Sequence, residues 1–129
     1  MGIRARMDDH AGMKRTVLIV DDHAGFRTSA RRVLEAGGYA VIAEAADGSS
    51  GVSAAAESRP DLALVDVQLP DFDGFEVTRR MLLAGDAPEI VLISSHDRSD
   101  FGSLVESSGA RGFVTKGDLS PAALEAVLA

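Results

Sequence analysis

Five short apolar runs alternate along this chain with stretches whose apolar residues recur at helical spacing, and this alternation restricts the fold more than any other feature. Thr16–Val20, Ala40–Ala45, Leu62–Asp66, Glu89–Ser94 and Gly112–Thr115 read as strands. After the first strand, Phe26, Ala30, Val33 and Leu34 share one helical stripe, stopped by Gly37-Gly38. Gly48 to Ser58, rich in Ala and Ser, reads as a second helix despite the internal Gly51, and Arg59-Pro60 ends it. A third helix begins near Gly74 with Val77 and Met81 on one stripe, and Phe101, Leu104 and Val105 mark a fourth. Ser120-Pro121 is a cap and first-turn pair for a fifth, which carries Leu124, Val127 and Leu128. Such alternation with short connections predicts an α/β fold with a five-stranded parallel sheet, (βα)5, doubly wound, with right-handed crossovers and helices on both faces.

A chain of 129 residues has room for one compact domain and one real core. Its longest apolar runs, such as Val17 to Val20 and Ile90 to Ile93, are far too short to span a bilayer, so no membrane partner is expected. There is no cysteine for disulfides, zinc or thiol chemistry, and the first residues lack the apolar stretch of a secretory signal; the expected location is the cytoplasm. Residues 1–13 show no apolar periodicity and are expected to be a disordered segment ahead of a folded domain at 14–129. The net charge of −7 is uneven: residues 1–15 carry a net +2, which leaves −9 on residues 16–129. A domain this acidic repels phosphate backbones and is not expected to grip nucleic acid by itself.

In an open α/β sheet the carboxyl ends of the strands share one edge, where ligands bind at the reversal of strand order. The first strand ends in Asp21-Asp22, the third in Asp66, the fourth in Ser94-Ser95 and the fifth in Thr115-Lys116. Taken singly, each has an ordinary role as a cap, a loop residue or a solvated cation. Together they place like charges on one rim, a situation usually resolved by a hard divalent cation with oxygen ligands. Between residues 16 and 129 the chain has eight Arg and a single Lys, Lys116, a compact ammonium placed where it can reach a phosphoryl oxygen. His10, His23 and His96 lie in unrelated loops and read as solvated.

The segments VLIVDDH, LALVDVQLPDFDGFEV, VLISS and GFVTK, in this order, resemble the receiver domain of two-component response regulators. The likeness runs from about Lys14 to the end, and the DDH form with the ending TKGD is similar to the branch carrying helix-turn-helix output domains. The resemblance implies a flavodoxin-like receiver fold in which Asp66 accepts a phosphoryl group from a sensor histidine kinase or phosphotransfer protein. It implies Mg²⁺ (or Mn²⁺) held by Asp22, Asp66 and the main-chain carbonyl of Gln68, with Asp21 acting through a water. Lys116 and Ser94 would bind the phosphoryl group, and Ser94 and Phe113 would form a switch. That switch would act on the face made by the fourth helix, fifth strand and fifth helix, toward an output domain or a homodimer partner, with DNA contacted only through an attached output domain. Proline, in a cis bond, often follows the lysine in that family; here Gly117 does, which implies a differently shaped or looser loop. An aspartyl-phosphate hydrolase needs a second acid two residues after the nucleophile, where this chain has Gln68; a degenerate scaffold receiver normally lacks an acid or the lysine, and both are present. A nucleotide-binding flavodoxin-like protein would want a phosphate loop where Asp21-Asp22-His23 stands.

Overall fold

The computed structural model describes residues 14–129; the segment 1–13, expected to be disordered, lies outside the described residues. The chain runs β1 (Thr16–Val20), α1 (Ala24–Ala36), β2 (Ala40–Ala45), α2 (Gly48–Ser58), β3 (Leu62–Asp66), α3 (Gly74–Ala84), β4 (Glu89–Ser94), a 3₁₀ turn (Arg98–Phe101), α4 (Leu104–Ser107), β5 (Gly112–Thr115) and α5 (Pro121–Leu128). A further 3₁₀ turn, Lys116–Asp118, joins β5 to α5. The strands form one parallel sheet in the order β2-β1-β3-β4-β5. Strand order reverses at β1, so the crevice beyond the carboxyl ends of β1 and β3 is the topological switch point.

Both faces of the sheet are covered, which explains why the central strands are apolar throughout instead of alternating. Val17 and Ile19 point to one face, where Ala30 and Leu34 of α1 and Leu124 of α5 meet them. Leu18 and Val20 point to the other, under α2, Val77 and Met81 of α3, and Val105 of α4. Each such fully buried side chain contributes about 1.5–3 kcal/mol relative to exposure. The edges of this core are pinned by polar contacts: Asp61 at the head of β3 accepts from Thr16 N (2.9 Å) and Thr16 Oγ1 (3.1 Å) at the head of β1.

The helix ends follow local chemistry. Asp47, Asp73 and Ser120 cap α2, α3 and α5 by accepting from the main-chain N–H three residues on, at Ser50, Glu76 and Ala123. Gly51, the weak point of α2 as a helix, is there because α2 rides close on β1; a Cβ at this position would sit 2.8 Å from Val20 Cγ1. One expectation needs correction. The helix marked by Phe101, Leu104 and Val105 is broken at Gly102 (φ 57°) into a 3₁₀ turn and a single helical turn. Ser107 and Ser108 return their hydroxyls to the carbonyls of Ser103 and Val105, which competes with helix propagation, and only Val105 is buried there.

Candidate functional site

Asp66 closes β3 and is 2% exposed. β3 pairs with β1 as far as Val65 and with β4 through Asp66 itself, opposite Ile93, and the main-chain N–H of Gln68 donates to the Asp66 Oδ1 at 3.2 Å. The loop after it returns tightly: Gly74 N donates to Val67 O at 2.8 Å, bringing the start of α3 against the end of β3. Asp21 follows β1, its main chain tied to β2 through Ala45 O (2.9 Å) and its side chain fully buried. Asp22, next along, is half-exposed at the mouth.

Lys116, from the end of β5, reaches across β4 and places its ammonium 2.7 Å from Asp21 Oδ2 and 3.1 Å from Asp66 Oδ2. Burial pushes the Asp66 carboxyl above the ordinary aspartate range, and the charge of Asp21 adds to this, against the opposing pull of Gln68 N–H and Lys116. For Lys116, burial works to lower the ammonium's pKa, but the close contact with Asp21 and the charges of Asp66 and Asp21 outweigh it and hold the group above its usual value. Two buried carboxylates thus share one ammonium, and the pocket keeps an excess of negative charge.

Asp21, Asp22, Asp66 and His23 each offer one ligand atom, all within 4.8 Å of one another. The donor set fits a hard divalent cation: carboxylate oxygens predominate, and Asp21 Oδ2, buried, makes no aligned hydrogen bond despite the nearby ammonium. Gln68, two residues after Asp66, is exposed, and its main-chain N–H is already committed to Asp66. Ser94, at the end of β4, is fully buried and accepts from His96 N at 3.0 Å, whereas its neighbour Ser95 is exposed. Phe113 of β5 is half-buried and packs with Phe101, centroids 5.8 Å apart, and Phe101 in turn packs edge-on against Phe75 at 5.9 Å. The structure therefore gathers Asp21, Asp22, Asp66 and Lys116 into one cluster, and sets Ser94 and Phe113 on the two strands beside it.

Three neighbours escaped the sequence reading. His23, expected to be merely solvated, places Nδ1 3.2 Å from both Asp21 Oδ1 and Asp22 Oδ1. Phe26, taken only as part of a helical stripe, lies under Lys116 with its ring centroid 4.6 Å from Nζ. Asp71 accepts from Gly48 N, Ser49 N and Phe72 N at 2.8–2.9 Å and so ties the loop after Asp66 to the start of α2. Desolvation works against the ionised form of Asp71, but those three N–H groups prevail and draw its carboxyl below the usual range. Nothing in the periodicity marks Asp71, because its partners are 22 and 23 residues away in sequence.

Residues 17–129 match the family described as the response regulator receiver domain. The chain belongs to that family. This receiver domain is 41% identical over 90 residues to the transcriptional regulatory protein AfsQ1 of Streptomyces coelicolor, covering 67% of the chain and 40% of that protein. It is 36% identical over 76 residues to the transcriptional regulatory protein LiaR of Bacillus subtilis, covering 59% of the chain and 36% of that protein. The chain thus spans less than half the length of these curated relatives. Among solved structures, a LuxR-family two-component response regulator from Aurantimonas sp. superposes with a TM-score of 0.79 at 37% identity, over 89% of this chain and 85% of that one. The receiver domain of a putative response regulator NarL from Mycobacterium tuberculosis gives 0.79 at 30% identity, over 89% and 97%. The fold is the flavodoxin-like, CheY-like receiver fold, and the chain is the receiver domain of a two-component response regulator whose relatives include transcription regulators. Receiver domains are mostly non-enzymatic, and the methylesterase relatives that are enzymes match this chain over 21% of their length in the Haloarcula marismortui protein. The family binds Mg²⁺ at an acidic pocket and engages histidine kinases or phosphotransfer proteins. No helix among the described residues is long and apolar enough to cross a membrane.

Proposed function

We propose that Asp66 is the phosphoacceptor, taking a phosphoryl group from a phosphohistidine on a sensor kinase or phosphotransfer protein. The observation that supports this most directly is the ammonium of Lys116 shared between Asp66 and Asp21 at 3.1 and 2.7 Å. Phosphoryl transfer requires positioning and charge neutralisation more than covalent machinery, so a rigid carboxylate beside a cation and a metal pocket is a sufficient set of parts. One Asp66 oxygen forms the new bond to phosphorus as the bond to the imidazole nitrogen breaks; the nitrogen keeps the electron pair, and an acyl phosphate results. Asp22, Asp66 and the Gln68 carbonyl would hold Mg²⁺ (or Mn²⁺), with Asp21 through a water; when bound, the cation supplies the charge that lets an anion approach three carboxylates. Lys116 moves its ammonium from the carboxylates to a phosphoryl oxygen, and Ser94 donates its hydroxyl to another. Incubation with acetyl phosphate, followed by intact-mass measurement, should show one phosphoryl group per chain with Mg²⁺ and none in excess chelator. Uptake that persists without a divalent cation, or at a residue other than Asp66, sinks the assignment.

The same reading assigns the output to the face formed by α4, β5 and α5. A Ser94 hydroxyl drawn toward the phosphoryl group vacates space beside β5 that the Phe113 ring can enter, and the phosphoryl group biases a pre-existing pair of states. An attached output domain, or a second copy in a homodimer, would read that face; DNA would be contacted only through such an output domain. The expected signature is phosphorylation-dependent chemical-shift change across residues 94–128, weakened in Ser94→Ala. Changes confined to the loops of Asp22, Asp66 and Lys116 would mean that the face is not switched.

A further inference from the structure

Lys116 has the longest reach of any group in the site. It starts from β5, at the edge of the sheet, and must hold its ammonium over the ends of β3 and β1, two and three strands away. A lysine stem kept extended loses much of its rotamer freedom, and something must hold it there. The loop behind it does little: Gly117 is exposed, and the place a Cβ would occupy has nothing within 4 Å. The two carboxylates hold the ammonium, but in the reading above Asp66 is a ligand of the divalent cation and Asp21 serves it through a water. Once they serve that cation, their hold weakens and the cation itself repels Nζ.

One contact does not depend on those carboxylates. Phe26, in the first turn of α1, is half-buried against the core formed with Leu34, Leu64 and Leu124, and the face of its ring lies under Nζ at 4.6 Å. That is within the range at which a ring quadrupole attracts an ammonium, and the Lys116 side chain is only 14% exposed, so the attraction is little diluted by water. We propose that Phe26 is the positioning residue for Lys116: its ring keeps the ammonium in the pocket while the carboxylates are engaged by cation and phosphoryl group. The proposal rests on the phosphoacceptor reading of Asp66, because only there does the lysine have to change partners.

The composition supplies a direct readout. Lys14 and Lys116 are the only lysines in the chain, so ¹³C-lysine labelling gives two ε-methylene signals, of which Lys116 should be shifted upfield by the ring current. In Phe26→Leu that shift should vanish and the rate of Mg²⁺-dependent uptake from acetyl phosphate should fall roughly tenfold, within the range of a desolvated cation–π contact. The Mg²⁺ affinity, read from the cation's effect on melting temperature, should be unchanged, and Phe26→Tyr should restore both shift and rate. If Phe26→Leu does not fold, the wild-type ring shift and the pair Phe26→Met and Phe26→Tyr decide the matter in the same way. A wild-type ε-methylene signal with no ring shift, or a Phe26→Leu or Phe26→Met chain that takes up phosphoryl at the wild-type rate, overturns the proposal. Absence of uptake in the wild type itself would instead overturn the phosphoacceptor reading, leaving the ring shift to be judged alone.

Discussion

Asp66→Asn should take up no phosphoryl group and yet melt above the wild type when no divalent cation is present. The carboxyl is 2% exposed, and burial together with the charge of Asp21 places its folded-state pKa above the unfolded value. The native state then binds more protons than the unfolded chain between those two values, so stability falls as pH rises from the unfolded pKa through the folded one. Above the folded-state pKa that cost is present in full. Asparagine keeps the shape and still accepts from Gln68 N, Lys116 keeps Asp21, and one of two like charges is gone. A gain of roughly 2–5 °C is expected, the scale of about 1 kcal/mol in a domain of this size. Below the ordinary aspartate pKa the difference should close, because the wild-type carboxyl is then protonated in both states. Saturating Mg²⁺ should reverse the order: a ligand at a hundredfold excess over its dissociation constant stabilises the native state by about 2.7 kcal/mol, and the variant lacks a charged ligand. Melting curves at neutral and acidic pH, with and without Mg²⁺, check each step; a variant that melts below the wild type in chelator would show that the Lys116 pair outweighs the repulsion.

Gly74→Ala should be the most damaging single-methyl change in the protein. A Cβ there would fall against the main-chain carbonyl of Asp66, 3.0 Å from its carbon and 2.9 Å from Val67 Cα. These are backbone atoms at the end of a central strand, so no rotamer can relieve the contact. The hydrogen bond from Gly74 N to Val67 O at 2.8 Å needs the same close approach. A loss of about 3 kcal/mol, the upper part of the overpacking range, or roughly 10 °C in melting temperature, is expected. Phosphoryl uptake should fall with it, since the displaced atoms carry the Asp66 carboxylate. Gly117→Ala is the control: the Cβ position is open and the residue is not among those with positive φ, so its melting temperature should stay within about 2 °C of wild type. If Gly74→Ala melts with the control, the loop is more pliable than this packing allows.

The five strands and five helical segments were legible because burial on both faces of a parallel sheet writes itself as contiguous apolar runs, and because helix signals are local, as where Ser120 caps α5 through the N–H of Ala123 only three residues away. The segment around α4 was misjudged as one helix: Phe101, Leu104 and Val105 have helical spacing, but Gly102 and the serine hydroxyls favour a break, and apolar spacing does not register that competition.

The strand-end acids and Lys116 could be collected from the chain because parallel topology sends every strand's carboxyl end to one rim. Their mutual arrangement could not. That one ammonium is shared by Asp21 and Asp66, that it rests on Phe26, that His23 touches both acids after β1, and that Asp71 ties the β3 loop to α2 all join segments distant in sequence or depend on rotamers. Sequence by itself determined which elements form and which charged groups reach the same edge, since periodicity and capping are local and the edge follows from connectivity. Only the tertiary structure decided who touches whom there, because angstrom-scale distances between side chains depend on how the layers pack, and no local pattern encodes that.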